Sequence, residues 1–210
     1  MRKHRPYAMW WSLAFLVAGV AATFQVVAFA HGSWPTPIYR LYVVFSCAVP
    51  GLMGAGSMFL LFPKLASWFA GIILALTALT LWGAFLAISP ADLSNVLLAT
   101  EQVTKVLPSA QVTWGFALNG ALGGLALVVG ALWSFIRTRM PYNLGIVFGG
   151  VVFSIADSLS ALGTPELFFA AEVVGSIVLY MAVRAAAIHR VPTTLAVGEV
   201  GGSRSSTQGA

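Results

Sequence analysis

The chain has 210 residues, of which 59% are hydrophobic and only 8% are charged, with a formal net charge of +5. Water-soluble domains carry about a quarter charged residues, so this composition excludes an ordinary soluble enzyme or binding domain. The positive charge does not indicate nucleic-acid binding, because the basic residues form short clusters between long apolar runs. The composition therefore predicts a protein whose surface faces the lipid bilayer.

Six apolar stretches follow one another along the chain, each long enough to cross about 30 Å of hydrocarbon as a helix. The predicted fold is therefore all-α: a polytopic membrane helical bundle with about six transmembrane helices in one domain, residues 1–190. Small residues recur in the even-numbered stretches, which allows three helical hairpins as an architecture. The predicted spans are 8–30, 38–62, 65–88, 112–136, 144–162 and 167–188.

The first stretch has a second interpretation. Basic residues, an apolar run and then Ala28-Phe29-Ala30 form the layout of a secretory signal peptide. A signal core normally has about 7–15 residues, and the run over 8–30 is longer, which favours a retained helix. Cleavage would leave five spans.

The segment between the third and fourth spans predicts a short interfacial helix over residues 90–107. Leucines and valines recur there at near-helical spacing, among them Leu93, Val103 and Leu107. This helix serves either as a plain connector or as a lid over an outer cavity. Residues 191–210 are rich in Gly, Ser and Thr without helical patterning, and they predict a disordered cytoplasmic tail.

The basic residues predict the orientation of the bundle. With the N-terminus inside, the cytoplasmic segments hold nine of the eleven, and Arg40 and Lys105 lie outside. Both termini are then cytoplasmic, and the predicted location is a cell membrane, with a bacterial inner membrane as the expected setting. The nine residues on the inside are Arg2, Lys3, Arg5, Lys64, Arg137, Arg139, Arg184, Arg190 and Arg204.

Two acids lie inside predicted spans, and these are the strongest functional signal. An acid at the bilayer centre costs about 2.5–3.5 kcal/mol on insertion scales, so it faces the bundle interior or water. Asp157 and Glu172 flank the turn at 163–165 at similar distances, so they share one level of the membrane. We predict a polar pocket for a proton, a cation or a small solute. Its candidate residues are Asp157, Glu172, Ser154, Ser158, Arg40 and Asn119.

A structural role for these acids is the alternative. Each acid could be neutral and hydrogen-bonded to a serine or a carbonyl, or paired with Arg40 to hold helices together. Four-residue spacing of small side chains also predicts close helix packing within the bundle, or docking of a homo- or hetero-oligomeric partner. These small-residue faces are Gly120/Gly124, Gly145/Gly149 and Ala171/Gly175.

Catalytic, cofactor and metal sites are not predicted. The single cysteine, Cys47, has no partner thiol, and its neighbours predict a small buried side chain in a helix. The spans carry no histidine pair for haem and no zinc-binding motif. The leading hypothesis is a small carrier or channel-like protein. The alternative is a non-catalytic accessory or assembly subunit of a larger membrane complex.

Overall fold

The computed structural model describes residues 6–86, 93, 103–161 and 165–189, with the backbone alone for 104, 105, 153–161, 165–169, 187 and 189. All regular secondary structure in the described residues is α-helical. In chain order the helices are α1 (Pro6–His31), α2 (Thr36–Leu61), α3 (Pro63–Leu86), α4 (Val103–Val106), α5 (Ala110–Thr138), α6 (Pro141–Ala161) and α7 (Pro165–His189).

The all-α prediction is confirmed, and each of the six apolar stretches is a helix whose ends lie within three residues of the predicted ones. Four helices, α1, α2, α3 and α5, are long and apolar enough to cross a membrane. The predicted helix over 90–107 lies mostly outside the described residues, which include only Leu93, α4 and Leu107 in this range. The predicted tail at 191–210 lies outside them entirely.

Proline and capping residues set the helix boundaries. Pro37 lies in the first turn of α2, and Pro63 and Pro141 begin α3 and α6, where the missing N–H leaves no hydrogen bond unmade. Ser109 caps α5, since its hydroxyl accepts a hydrogen bond from the Val112 N–H at 3.2 Å. Arg139 ends α5 in the left-handed conformation, with φ of 55°.

Helix α2 lies at the centre of the bundle, in contact with α1, α3 and α5. In its most apolar stretch 61% of the residues are buried, against 17% in α1 and 28% in α3. Ring contacts show that α1 and α2 are antiparallel, because Trp10 lies beside Phe59 and Phe24 beside Phe45. α5 packs parallel to α2, and α6 connects α5 to α7.

The bundle therefore has two ends, which we name after a residue at each. The Arg139 end contains the start of α1, the α2–α3 turn, the α5–α6 turn and the end of α7. The Trp34 end contains the α1–α2 turn, the end of α3 and the connector that precedes α5.

The connector before α5 is packed onto the Trp34 end. Leu93, Val106 and Leu107 are buried in one apolar cluster with Trp34 and Tyr39. The two aromatic rings lie 5.3 Å apart between centroids, in an edge-on arrangement. The described part of the connector is thus an integral part of the core at this end.

Candidate functional site

A cluster of polar side chains lies where α2, α3 and α5 meet, near the middle of each helix. We call it the polar junction; it consists of Cys47 on α2, Thr77 and Thr80 on α3, and Asn119 on α5. Cys47, Thr80 and Asn119 are almost completely buried. A buried polar group in an apolar bundle is costly unless it is hydrogen-bonded, so its partners decide what the cluster does.

Asn119 is the hub of the polar junction. Its Nδ2 group donates to Thr77 Oγ1 at 2.9 Å and to Cys47 Sγ at 3.4 Å. The Thr77 hydroxyl in turn donates to the Ile73 carbonyl at 2.9 Å. The Asn119 amide nitrogen on α5 therefore connects three helices, because it donates hydrogen bonds to both α2 and α3.

Cys47 is also held by hydrogen bonds. Its Sγ lies 3.4 Å from Thr80 Oγ1 and donates to the Gly115 carbonyl at 3.6 Å. The Thr80 hydroxyl donates to the Leu76 carbonyl at 3.0 Å. The prediction that Cys47 is a small buried side chain is confirmed, and the structure adds that its surroundings are polar.

Glycines allow the helices to approach closely around the junction. A Cβ atom at Gly51 would overlap Asn119 Oδ1 and would lie 2.6 Å from the Ile73 side chain. That amide oxygen is buried and has no hydrogen-bond partner among the described residues. It therefore lies against the Gly51 backbone, and this contact fixes the level of α5 relative to α2.

Three residues further along, the α2 and α5 backbones touch directly. A Cβ atom at Gly54 would lie 2.6 Å from the Gly123 carbonyl oxygen, and one at Gly123 would overlap the Pro50 carbonyl. Close approach of this kind is what small residues permit between membrane helices, where van der Waals packing drives association. The polar junction and this backbone contact together hold α2 and α5 in one register.

The polar junction is equipped for packing and not for acid–base chemistry. It contains an amide, two hydroxyls and a thiol, with no carboxylate or imidazole among its members. Within the described part of the chain there is no group of three or more His, Cys, Asp or Glu side chains that could hold a metal ion. Interhelical hydrogen bonds in membrane proteins contribute about 0.6 kcal/mol on average, so the cluster stabilises one arrangement of three helices.

The structure does not bring Arg40 and Asn119 together. Arg40 lies in the first turns of α2 at the Trp34 end, where its Nη1 donates to the Phe85 carbonyl of α3 at 3.2 Å. Asn119 contacts Gly51, which follows Arg40 by eleven residues, or about 16 Å along a helix. These two predicted site residues therefore belong to different levels of the bundle.

The other predicted site residues lie on the α6–α7 hairpin. Asp157, Ser154 and Ser158 are in α6, and their side chains lie outside the described residues. Glu172 is partly buried on α7. The pairing of the two acids accordingly remains a prediction.

Two of the three predicted small-residue faces pack inside the bundle. A Cβ atom at Gly145 would lie 2.9 Å from Ala182 Cβ, and one at Gly149 would lie 2.6 Å from Leu179 and 3.2 Å from the Gly175 carbonyl. These contacts between α6 and α7 show that the hairpin is antiparallel. Gly120 and Gly124, by contrast, have no described atom within 4 Å of the Cβ position.

The sequence interpretation missed the partners of Asn119. It singled out Asn119 as a polar group in an apolar span, but not Thr77, Thr80 or Cys47. Thr77 and Thr80 are three residues apart and so share one helix face, a signal that was present in the sequence. The sequence alone does not show how α2 and α5 are rotated about their axes, and this rotation decides which side chains face Asn119.

Comparison of the chain with protein-family models, with curated proteins and with solved structures finds no match. The class that the fold defines is therefore the coarse one: the described part of the chain is all-helical, and four of its helices are compatible with a membrane location.

Proposed function

We propose that this is a small carrier or channel-like, multi-pass protein of the cell membrane that binds a proton, a cation or a small solute at Asp157 and Glu172. In this proposal the six long helices all cross the bilayer as one transmembrane domain, residues 1–190. Both termini and the tail at 191–210 are cytoplasmic, and a bacterial inner membrane is the setting.

The distribution of charge supports this orientation. At the Arg139 end the described residues include Lys64, Arg137, Arg139 and Arg184, all of them exposed. At the Trp34 end, Arg40 is partly buried against α3. Because cytoplasmic loops carry the excess of Lys and Arg, the Arg139 end is the one expected inside.

The observation that carries the acid site is the contact between Gly149 of α6 and Leu179 of α7. Asp157 follows Gly149 by eight residues, and Glu172 precedes Leu179 by seven. In an antiparallel hairpin these offsets correspond to about 12 Å and about 10 Å in the same direction. The two acids are thus expected at nearly one level, on the side of the Trp34 end.

Helical periodicity also supports inward positions for both acids. Glu172 shares a face of α7 with Gly175 and Leu179, the face that packs on α6. Position 157 comes two turns after Gly150, where a Cβ atom would lie 3.2 Å from Leu127 and Val128 of α5. Glu172 is thus expected on a face that points towards α6, and position 157 belongs to the side of the α6 backbone that is nearest α5.

Two carboxylates at one level in a low-dielectric setting repel each other unless a proton or a cation neutralises one of them. Ser154 and Ser158 supply hydroxyl groups within one turn of Asp157. Arg40 lies at the same end of the bundle and remains a candidate partner. Asn119, whose Nδ2 already bonds Thr77 and Cys47, contributes by holding α5 in place.

A flux assay tests this function. The purified protein is reconstituted into liposomes, and uptake of protons, Na⁺ or K⁺ is followed with fluorescent dyes under an imposed gradient. We expect flux with the wild-type protein and its loss in the Asp157→Asn/Glu172→Gln double variant. Glu199→Gln, which removes an acid from the predicted tail, is the matched control. If liposomes that contain the wild-type protein show no flux of any of the three ions, the ion-carrier proposal is overturned.

The accessory-subunit hypothesis rests on a different observation. Ser67, Gly71, Ala75 and Ala78 form an exposed line of small side chains along α3, and nothing lies within 4 Å of the Gly71 Cβ position. Such a line allows a second helix to approach closely. Purification in a gentle detergent tests this alternative: a stoichiometric partner that Gly71→Leu removes would favour it, and a single species would contradict it.

A further inference from the structure

A groove between α6 and α7 opens at the Arg139 end of the bundle. It has a volume of about 360 Å³, and its walls include Pro141 and Gly145 of α6 and Ile177, Met181 and Ala185 of α7. These side chains are apolar or absent, and Tyr142, which also lines the groove, adds a single hydroxyl group. In a bundle surrounded by lipid, a groove with mostly apolar walls can hold hydrocarbon.

Small residues create this groove. Gly145 packs against Ala182, so the two backbones are close at the base. Ala185, one turn further along α7, leaves open the space that a larger side chain would fill. Met181 and Ile177 are more than half exposed and form the outer wall.

Three exposed arginines are close in sequence to residues that line the groove. Arg137 and Arg139 lie at the end of α5, four and two residues before Pro141. Arg184 is adjacent to Ala185 and shares a face of α7 with Ile177 and Met181, which precede it by seven and three residues. We therefore expect the mouth to combine an apolar slot with concentrated positive charge.

No acid among the described side chains compensates this charge. Glu172 is the one carboxylate whose side chain is described, and it precedes Arg184 by twelve residues, about 18 Å along the helix. Arginine presents a planar fork of donors that matches the oxygens of a phosphate group. A basic pocket beside a groove between membrane helices is the arrangement that binds anionic lipid headgroups.

We infer that this groove binds an anionic phospholipid, with one acyl chain between α6 and α7 and the headgroup phosphate on Arg139 and Arg184. The site is independent of the acid pair, which lies towards the opposite end of the same hairpin. Of the possible occupants of an apolar groove, an anionic lipid is favoured. Its acyl chain matches the apolar walls, and its headgroup phosphate matches the nearby arginines.

Native mass spectrometry in a neutral detergent tests this inference. Dioleoylphosphatidylglycerol and dioleoylphosphatidylcholine, which have the same acyl chains, are titrated separately into the protein. We expect the phosphatidylglycerol to be retained at least about tenfold more strongly, and the preference to weaken as ammonium acetate is raised. Equal retention of the two lipids by the unmodified protein would overturn the proposal, whatever the variants do.

Variants separate the headgroup from the chain. Arg139→Gln and Arg184→Gln should each weaken phosphatidylglycerol retention about fivefold. Lys64→Gln is the matched control, because it removes an exposed positive charge at the same end but at the α2–α3 turn. A loss with Lys64→Gln as large as with Arg184→Gln would mean general attraction to the surface and would contradict a site.

A further variant fills the groove and leaves the arginines in place. Ala185→Phe should reduce retention of phosphatidylglycerol, whereas inorganic phosphate at the same concentration should not displace the lipid from the wild type. Retention unchanged in Ala185→Phe, or displacement by phosphate alone, would show that no acyl chain occupies the groove. Circular dichroism and the protection of Cys47 from maleimide confirm that each variant is folded.

Discussion

The contact between α2 and α5 and the hairpin of α6 and α7 represent two ways of packing helices in one bundle. At the first, the backbones touch at Gly54 and Gly123. The buried amide of Asn119 also donates hydrogen bonds to Thr77 and Cys47. At the second, glycines also bring the helices together, but a groove of about 360 Å³ remains open beside them.

The two regions are expected to have different roles: the contact between α2 and α5 stabilises the bundle, and the hairpin of α6 and α7 binds ligands. Apart from Asn119 Oδ1, which lies against the Gly51 backbone, the groups of the polar junction form hydrogen bonds to one another or to helix carbonyls, so little is left over for a ligand. The hairpin contains Glu172, the backbone of Asp157 and Arg184, and Arg139 lies just before it; none of these groups is needed to hold α2 and α5 together. We therefore expect substitutions in the first region to change stability, and substitutions in the second to change binding.

The largest effect is expected at Gly123. Gly123→Leu would place a side chain where the Pro50 carbonyl and the Gly51 backbone now lie, and a backbone obstacle cannot move as a side-chain end can. Overpacking costs about 1–3 kcal/mol when side chains adjust, so we expect a loss of at least about 3 kcal/mol. Thermal unfolding in detergent, followed by circular dichroism, measures the change.

Gly71→Leu is the control for this variant, because Gly71 is exposed on α3 with nothing within 4 Å of its Cβ position. Its unfolding temperature should stay near that of the wild type. If the two leucine variants unfold at the same temperature, the close approach of α2 and α5 is wrong.

The second effect is expected at Asn119. Asn119→Ala removes two interhelical hydrogen bonds and leaves a cavity, so we expect a loss of about 1–3 kcal/mol. Cys47, the one cysteine of the chain, reports the same event, because it should react with a maleimide faster when the junction opens. Labelling rates of the wild type and the variant measure this change.

A double-mutant cycle refines the test at the junction. Combined with Thr77→Val, Asn119→Ala should show a coupling energy of about 0.6 kcal/mol, the typical value for such bonds in a membrane protein. Strictly additive effects would mean that the 2.9 Å bond between Asn119 and Thr77 does not contribute to stability.

The same two regions show what could be predicted from the sequence. Apolar length and proline positions predicted six of the seven helices that the structure describes, because both signals are local. The partners of Asn119 depend on which faces of α2 and α3 turn towards α5. That choice is made by glycine contacts between residues far apart in the chain, such as Gly54 with Gly123.

The acid site shows the opposite situation. The sequence predicted that Asp157 and Glu172 share one level, and the contact of Gly149 with Leu179 now supplies the register that supports this prediction. The groove beside Gly145 was not predicted. It arises because Ala182 and Ala185 are small on the face of α7 that meets α6, and only the packed hairpin defines that face.

A smaller effect is expected where the hairpin meets α1. The Phe15 and Tyr180 rings lie 6.4 Å apart between centroids in an edge-on arrangement. Aromatic pairs of this geometry contribute about 0.5–1.5 kcal/mol beyond the area that they bury. A double-mutant cycle of Phe15→Leu and Tyr180→Leu should give a coupling energy in that range, measured by thermal unfolding. A coupling of zero would place α7 away from α1.

The smallest effect should differ in sign between two glycines that receive the same substitution. In a helix interior, Gly→Ala stabilises by about 0.5–1 kcal/mol because alanine loses less backbone entropy on folding. At Gly71 the new methyl group meets no atom within 4 Å, so Gly71→Ala should raise the unfolding temperature slightly. At Gly51 the methyl group would overlap Asn119 Oδ1, so Gly51→Ala should lower it. Two alanine variants that shift stability in the same direction would show that Gly51 does not face Asn119, and the polar junction would lose the contact that fixes its level.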